Sequence, residues 1–245
     1  TKVTNTAGTL GASKAVVAVQ GTVNTVLTFP TTIGPGTSSD YTFLYVARYA
    51  PISGSAYQAG NYCDVTAHNA GTDGKSRIFT SGTGNWLSGF WACAAGVAYH
   101  EGWVTDSANS VTELRSGNDN NWLLGTDCGY TVASTSACKG RFRAFGTDRT
   151  VTASTSTGVH QVGVHIGIYG GEQSDYQIAE VISYPTILPV AEIVKVETYL
   201  ARKYGITLSS TAATKLGIHR ASVGTNLNET LSTQPQIAIQ DANGQ

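Results

Sequence analysis

Acidic side chains are the first candidates for chemistry, because glycan hydrolysis requires two carboxyl groups that flank the scissile bond at roughly 5 to 9.5 Å. The nearest approach to such a pattern is Glu172, Asp175 and Glu180. Their spacing does not place the three on one face of a strand, where side chains alternate. Glu180 shares a predicted face with Ile178 and Ile182, so it is either a buried carboxylate hydrogen-bonded within the fold or a functional acid. The sequence therefore contains no recognisable glycosidase motif.

Histidines offer no nucleophilic chemistry by their spacing. The sequence has neither a Gly-x-Ser-x-Gly elbow nor a Cys–His dyad, and its histidines are scattered at His68, His100, His160, His165 and His219. Strand alternation predicts that His100 and Glu101 point to opposite faces, so that they form no local pair. We therefore expect a protein that is not an enzyme and that needs no cofactor.

Aromatic and amide side chains favour binding chemistry instead. Sugar rings present apolar C–H faces that stack on Trp, while Asn and Asp side chains hydrogen-bond to sugar hydroxyls. The predicted ligand-binding residues are a loop-edge cluster and one Trp of the middle strands: Asp119, Asn120, Asn121, Trp122 and Trp103. The alternative is structural, because Trp is buried on average and an Asn/Asp run is ordinary in turns. Calcium needs six to eight oxygen ligands, and six are not identifiable around Asp119, so we predict no metal.

The cysteines indicate an oxidising environment. Cys63, Cys93, Cys128 and Cys138 occur in no CxxC pair and lie near no His at zinc-finger spacing. We favour a Cys128–Cys138 disulfide, which closes a short Thr/Ser-rich loop, and a Cys63–Cys93 disulfide, which ties a loop to a strand. Buried free thiols are the alternative. Two disulfides predict a secreted or cell-surface protein.

The low charge of the chain excludes two classes of partner. Charged residues make up 13% of the 245 residues, and 15 basic against 16 acidic side chains give a net charge of -1. Such a balance supplies no basic surface for nucleic acid or for an anionic membrane. No apolar run approaches the roughly 20 residues that cross a bilayer, so we expect no membrane insertion. The start at Thr1 and the absence of Met lead us to expect a processed or excised segment.

The elements that position these side chains are mostly strands. Period-two alternation, separated by Gly, Asn, Asp and Ser clusters, is typical of many short strands. It predicts strands over residues 15–19, 25–29, 41–49, 77–80, 96–105, 122–127, 141–145, 160–169 and 176–184. The fold class is therefore an all-β sandwich of two antiparallel sheets.

One helix is predicted after these strands, over residues 189–204. Pro189 suits a first turn, and Gly205 suits a left-handed C-cap. An apolar stripe that would dock on the sandwich consists of Val190, Ile193, Val194, Leu200 and Tyr204.

The character of the chain changes after Ile206. Residues 209–215 are typical of a linker, and residues 234–245 are typical of one strand with Ile237 and Ile239 on one side, ending in an Asn-Gly turn signal. We therefore predict one domain over residues 1–206 and a linker with an unpaired terminal strand over residues 207–245. Such a strand either begins a further module or is donated to a sheet of another copy.

Several of these segments resemble known families. Residues 174–184 with 190–206 resemble the closing strand and helix of laminin-G-like, concanavalin-A-like jelly-roll domains, and residues 85–91 with 96–103 look like the middle strands of that superfamily. The tail, at residues 234–237 and 241–244, resembles the first strand of bacterial immunoglobulin-like repeats. The resemblance implies a jelly-roll sandwich and roles in glycan binding, adhesion or surface assembly.

These observations predict an extracellular, non-catalytic, lectin-like module. Its expected partner is a glycan or cell-surface polysaccharide, bound through loops at one rim or on the concave sheet. The alternative is a structural subunit of a filament, sheath or particle, in which copies of the chain join through the strand that carries Ile237 and Ile239.

Overall fold

The computed structural model describes residues 1–29, 40–50, 76–81, 86–91, 94–106, 121–129, 136–155, 162–164 and 172–209, with the backbone of residues 215–220 and 236–240. The chain divides into two units, Thr1–Leu208 and Ser209–Gln245. Within these ranges, none of the helices is long and apolar enough to cross a membrane.

The first unit is built from two antiparallel sheets and a helix. Its elements are β1 (Lys2–Asn5), β2 (Val16–Gly21), β3 (Leu27–Thr28), β4 (Thr42–Tyr49), β5 (Phe79–Ser81), β6 (Trp86–Trp91), β7 (Ala94–His100), β8 (Leu123–Cys128), β9 (Phe142–Ala144), β10 (Thr147–Asp148), β11 (Val162–Val164), β12 (Tyr176–Tyr184) and α1 (Val190–Tyr204). One sheet has the order β1-β2-β12-β4-β8-β9-β10, and the other has the order β3-β11-β5-β6-β7. The prediction of an all-β sandwich with one helix is confirmed for the described residues.

Most predicted strands lie close to observed ones, but the prediction of one strand over residues 96–105 is wrong. Strand β7 ends at His100, and Glu101 has a φ of 53°, a left-handed conformation that interrupts an extended strand. The chain reverses there, because Trp103 forms an antiparallel bridge with Tyr99 and the Val104 N–H donates to the Ala98 carbonyl oxygen. The observed unit is a tight turn at the end of β7.

Aromatic rings fill the space between the two sheets. The ring centroids of Tyr45 on β4 and Phe79 on β5 lie 4.5 Å apart, and those of Phe43 and Phe79 lie 5.4 Å apart. Gly125 on β8 lies against the Tyr45 ring, where a Cβ would overlap the ring atoms. Each fully buried aromatic side chain contributes about 1.5–3 kcal/mol by leaving water. This packing joins the two sheets through one aromatic core.

Helix α1 covers the opposite face of the seven-stranded sheet. Ile193, Leu200 and Tyr204 are buried against Leu44 and Val46 of β4. The sheet therefore has a core on both faces, which explains why all eight residues of β4 are buried.

The caps of α1 agree with the sequence signals. Pro189 precedes the first helical residue with a φ of -57°, and Gly205 has a φ of 67° while its N–H donates to the Ala201 carbonyl oxygen. Val194 is an exception to the predicted apolar stripe, because its side chain is 42% exposed. It follows Ile193 by one residue, which turns it about 100° away from the buried face.

A buried ion pair fastens α1 to the sheet. The Arg143 Nε and Nη2 atoms donate to the two carboxylate oxygens of Glu197 at 2.9 Å each, and the Thr126 hydroxyl donates to the same carboxylate at 2.9 Å. Burial alone would lower the pKa of Arg143, but the hydrogen bonds and charge of Glu197 raise it. The Glu197 carboxylate on α1 therefore accepts hydrogen bonds from donors on both β8 and β9.

One of the two predicted disulfides is present. Cys128, the last residue of β8, is bonded to Cys138, with a Cα–Cα distance of 5.9 Å. Cys63 and Cys93 lie outside the described residues, so the second disulfide stays a prediction.

The second unit contains a β-hairpin-like pair of strands. Strand β14 (Gln236–Gln240) pairs antiparallel with β13 (Lys215–Arg220), so that Ile237 is opposite Ile218 and Ile239 is opposite Leu216. The expectation that the strand of Ile237 and Ile239 lacks a partner is therefore wrong. Its partner begins at Lys215, the last residue of the segment predicted as a linker.

Candidate functional site

An open polar pocket lies where β7 ends. It has a volume of about 420 Å³ and is lined by residues 100–103 and residues 152–155. Among these lining residues Glu101 is the only carboxylate, and none is Lys or Arg. Trp103 supplies the aromatic side chain, and it is half-buried. The pocket therefore combines one aromatic ring with hydroxyl, carboxylate and backbone groups.

The turn after β7 forms the first wall. The His100 N–H donates to the Gly102 carbonyl oxygen at 2.8 Å, which closes the chain around Glu101. The Tyr99 and Trp103 rings meet edge to face with centroids 5.5 Å apart, so the Trp103 ring is held against the strand. Both His100 and Glu101 line this pocket, but the His100 side chain is buried against Asp127 and Glu101 is exposed, so the expectation that they form no local pair stays a prediction. Alternation applies to extended residues, and Glu101 is not extended.

The segment after β10 forms the second wall. The Val151 N–H donates to the Val104 carbonyl oxygen at 2.8 Å, and the Ser154 hydroxyl donates to the His100 carbonyl oxygen at 3.3 Å. The Ser154 N–H donates to the carbonyl oxygen of Gly140 at 2.8 Å. These bonds fix the backbone of both walls relative to each other, so the pocket is preformed.

A buried polar network supports the pocket from below. His100 Nε2 lies 3.0 and 3.1 Å from the two carboxylate oxygens of Asp127, which is fully buried on β8. The Tyr41 hydroxyl donates to Asp127 at 2.9 Å and accepts a hydrogen bond from the Trp86 indole N–H at 2.8 Å. The Trp86 ring stacks on the His100 ring, with centroids 6.0 Å apart and an interplanar angle of 15°. This network joins the two sheets directly beneath the turn.

Burial keeps the phenol of Tyr41 in its protonated form. Desolvation of its phenol, with the negative charge of Asp127 beside it, raises the pKa of Tyr41 well above its ordinary value. Tyr41 therefore stays a neutral hydrogen-bond donor to Asp127 at physiological pH. A neutral donor satisfies the buried carboxylate without adding a second charge.

Of the predicted ligand-binding residues that the structure describes, one lines the pocket and two do not. Trp103 lines the pocket, whereas Trp122 is only 1% exposed and packs in the core beneath α1, with the Arg48 guanidinium 5.7 Å from its ring centroid. Asn121 is exposed before β8 but does not line the pocket. Asp119 and Asn120 lie outside the described residues, so their role stays a prediction.

A second polar cluster surrounds Arg48 on the face of the sheet that α1 covers. The Arg48 guanidinium donates to Gln177 at 3.2 Å, and Gln177 receives a further hydrogen bond from Asn5 at 2.8 Å and donates to Gln20 at 2.6 Å. Desolvation lowers the pKa of Arg48 to about 10, which leaves it protonated at neutral pH. Amide oxygens accept the hydrogen bonds of Arg48 and Asn5, so this cluster has a structural role.

The contacts of Glu180 support a structural role rather than that of a functional acid. Its carboxylate accepts hydrogen bonds from the Lys203 ammonium group and the Tyr204 hydroxyl at 2.8 Å each. Burial, together with the charge of Glu180, raises the pKa of Tyr204 to about 12. Glu180 thus fastens the last turn of α1 to β12. Within the described part of the chain, no group of three or more His, Cys, Asp or Glu side chains could hold a metal ion.

Sequence reasoning missed His100 and Asp127 as a pair. The two residues lie on strands of different sheets, and the strands β7 and β8 are separated by 22 residues. A partial signal existed, since Asp127 precedes a cysteine in a run of otherwise uncharged residues. A lone carboxylate in such a run requires a buried partner. The identity of that partner depends on how the sheets face each other.

Comparison with known proteins shows a distant likeness in fold. No family model matches the chain, and no curated protein matches it. Among solved structures, the chain is similar to a botulinum neurotoxin type G receptor binding domain, with 9% sequence identity and a TM-score of 0.38. The likeness covers 78% of this chain and 50% of that one, so the chain spans half the length of that structure. A likeness this distant carries no conclusion about function.

Proposed function

We propose that this protein is a non-catalytic glycan-binding module of a secreted or cell-surface protein, and that the sugar binds in the pocket at the end of β7. The observation that carries the proposal is the half-buried Trp103 on the wall of an open polar pocket of about 420 Å³. That volume lies within the roughly 300–1,000 Å³ of small-ligand sites.

The side chains around the pocket match the two kinds of contact that a sugar ring makes. The exposed part of Trp103, held by Tyr99, offers an apolar surface for the C–H face of the ring. Glu101 and Ser154 provide polar groups for sugar hydroxyls. Because both walls are fixed by backbone hydrogen bonds, binding orders little additional chain, which favours affinity.

The charge of the pocket favours neutral sugars over acidic ones. Glu101 is the one ionisable carboxylate among the lining residues, which include no Lys or Arg to compensate an anionic ligand. A carboxylate or sulfate on the sugar would face Glu101 and lose affinity through like-charge repulsion.

The arrangement of carboxylates supports binding without hydrolysis. A glycosidase requires two carboxyl groups that both reach the scissile bond. Asp127, a second described carboxylate near the pocket, is fully buried and hydrogen-bonded to His100 and Tyr41. It is therefore turned away from any ligand, and its role is to support the turn.

The Cys128–Cys138 disulfide supports the extracellular part of the proposal. Disulfides persist in oxidising compartments and are rare where thiols are kept reduced.

A glycan array with the purified chain tests the proposal. We expect binding to neutral glycans and a loss of at least about tenfold in affinity for Trp103→Ala, since removal of a central aromatic anchor costs about 2 kcal/mol or more. Trp91→Ala is the matched control, because Trp91 is also half-buried but lies outside the pocket. Absence of binding to every glycan, or an equal loss in both variants, would contradict the proposal.

A further inference from the structure

We propose that the exposed face of helix α1 is a docking surface for an acidic peptide segment of a partner protein, with two carboxylates that flank an apolar side chain. This surface goes beyond the proposed glycan site and uses none of its residues. It is a shallow groove of about 750 Å³ that is lined by Val194, Lys195, Thr198, Tyr199, Arg202 and Lys203.

The groove follows from the spacing of these residues on the helix. Residues four apart lie above one another, so the lining side chains form two adjacent rows, one of residues 194, 198 and 202 and one of residues 195, 199 and 203. Each row spans eight residues, or about 12 Å along the helix axis. This length matches three or four residues of an extended peptide.

Two apolar side chains of the groove are exposed, Tyr199 in its middle and Val194 at its N-terminal end. Val194 and Tyr199 are 42% and 51% exposed, and no other large hydrophobic side chain of α1 is as exposed. The buried side of the helix, with Ile193 and Leu200, already covers the sheet, so Val194 and Tyr199 add nothing to that core. The Lys203 ammonium group lies 5.5 Å from the Tyr199 ring centroid, which places a cation beside this apolar surface.

The rim of the groove is positively charged. Lys195, Arg202 and Lys203 line it, and Lys14 approaches through a hydrogen bond from its ammonium group to the Arg202 carbonyl oxygen. The carboxylates that contact these cations are Glu192, 2.7 Å from Lys195, and Glu180, 2.8 Å from Lys203, and neither lines the groove. Lys195 and Lys203 are each paired with a carboxylate, whereas Arg202 and the neighbouring Lys14 add further positive charge at the C-terminal end of the groove, on a chain whose net charge is -1.

Charge complementarity selects the occupant. A second copy of the chain, docked face to face about a two-fold axis, would bring the same cations against one another. An acidic peptide pairs with Arg202 and Lys203 at the C-terminal end and displaces Glu192 from Lys195 at the other end, where the exposed i,i+3 pair is weak, while its apolar side chain covers Tyr199. Lys195 lies about 10–12 Å along the axis from Arg202 and Lys203, which an extended peptide spans in three or four residues.

A fluorescence-polarisation series tests this geometry on the intact chain. The probes are labelled peptides with one Leu between two Asp residues, in which the separation of the Asp residues runs from two to six positions. We expect the tightest binding at a separation of three or four, and weakening as salt is raised. Peptides with Asn in place of Asp are expected to lose binding. No binding at any separation, or equal binding of the Asn peptides, would overturn the proposal.

Variants of the chain locate the site. Arg202→Gln is expected to weaken the best peptide about threefold to fivefold, the usual contribution of one exposed ion pair. Tyr199→Ser is expected to weaken it further, whereas Lys2→Gln, which removes an exposed cation of β1, is the matched control and leaves binding unchanged. Glycan binding should be the same in all three variants. Equal weakening of peptide binding by Lys2→Gln would refute docking of an acidic peptide. Sedimentation that shows a dimer of the intact chain and a monomer of Tyr199→Ser would also refute it.

Discussion

A fully buried carboxylate lies on each face of the seven-stranded sheet, Glu197 on one and Asp127 on the other, and their hydrogen-bond partners differ. On the helix side, Glu197 is paired with the guanidinium of Arg143 in a two-pronged contact. On the side between the sheets, Asp127 is satisfied by His100 and by the neutral hydroxyl of Tyr41. The first arrangement holds two elements of fixed structure together. The second lies directly beneath an open pocket.

The difference follows from what each face must support. A buried carboxylate is tolerated when a full opposite charge or several hydrogen bonds compensate it. Arg143 supplies that charge for a helix that is also attached by apolar packing and by the contacts of Glu180 with its last turn. Asp127 instead orients an imidazole whose residue ends a strand and begins the turn of the pocket. We therefore expect the Glu197 pair to affect stability but not ligand binding. The Asp127 network should affect both.

The largest effect is expected for Glu197→Ala. The change leaves the Arg143 guanidinium buried without its partner, which costs about 3–5 kcal/mol of unfolding free energy. Urea denaturation of the variant measures this loss. Glu192→Ala removes the exposed i,i+3 pair with Lys195 and should cost less than about 0.5 kcal/mol. If the two variants lose equal stability, the buried pair does not hold the helix in place.

An intermediate effect is expected for Asp127→Asn. The amide still accepts a hydrogen bond from Tyr41 but presents a donor or an uncharged oxygen to His100, and a cost of about 1–3 kcal/mol follows. Glycan binding should weaken in this variant at a temperature where it remains folded, whereas Glu197→Ala at equal folded fraction should bind normally. Calorimetric titration of both folded variants separates the two outcomes, and unchanged binding by Asp127→Asn would remove the network from the site.

The smallest effect is expected for the exposed pair of Asp148 and Arg141, which lies outside both buried networks. Burial alone would raise the pKa of Asp148, but hydrogen bonds from Thr150 and Arg141, with the charge of Arg141, lower it from 3.8. Because the folded pKa is depressed, the carboxylate adds stability above its unfolded pKa and loses it as pH falls through the folded one.

The two side chains of this pair are 41% and 39% exposed, so its contribution is about 0.2–1 kcal/mol. Asp148→Asn should therefore reduce stability slightly at pH 7 and not at all at pH 2. Thermal unfolding of both proteins at the two pH values measures the difference. A deficit of the variant that persists at pH 2 would show that the carboxylate charge is not its source.

Local signals were sufficient for the regular elements of the first unit. Pro189 and Gly205 predicted where α1 begins and ends, because their backbone preferences act within one turn and need no distant partner. The predicted bounds of β12 equal the observed ones, because its alternation continues over nine positions. In contrast, the turn at Glu101 was missed, since few residues other than glycine adopt a positive φ. The neighbouring Gly102 was the available sign of an interruption.

Exposure of the aromatic candidates could not be predicted in the same way. Trp103 and Trp122 have the same chemistry and similar surroundings in sequence. Trp122 lies on the face of the seven-stranded sheet that α1 covers, while Trp103 lies on a turn at the end of the other sheet. Burial depends on which element covers a face, and that is a property of the assembled layers.

The sequence by itself determined the all-β class, the helix with both of its caps and the Cys128–Cys138 pair, because alternation, capping and short loop closure act between residues near each other in the chain. Tertiary structure alone decided that His100 meets Asp127, that Arg143 meets Glu197 and that Trp103 borders a pocket. These contacts join elements far apart in sequence, and their free energy is realised only when the layers pack.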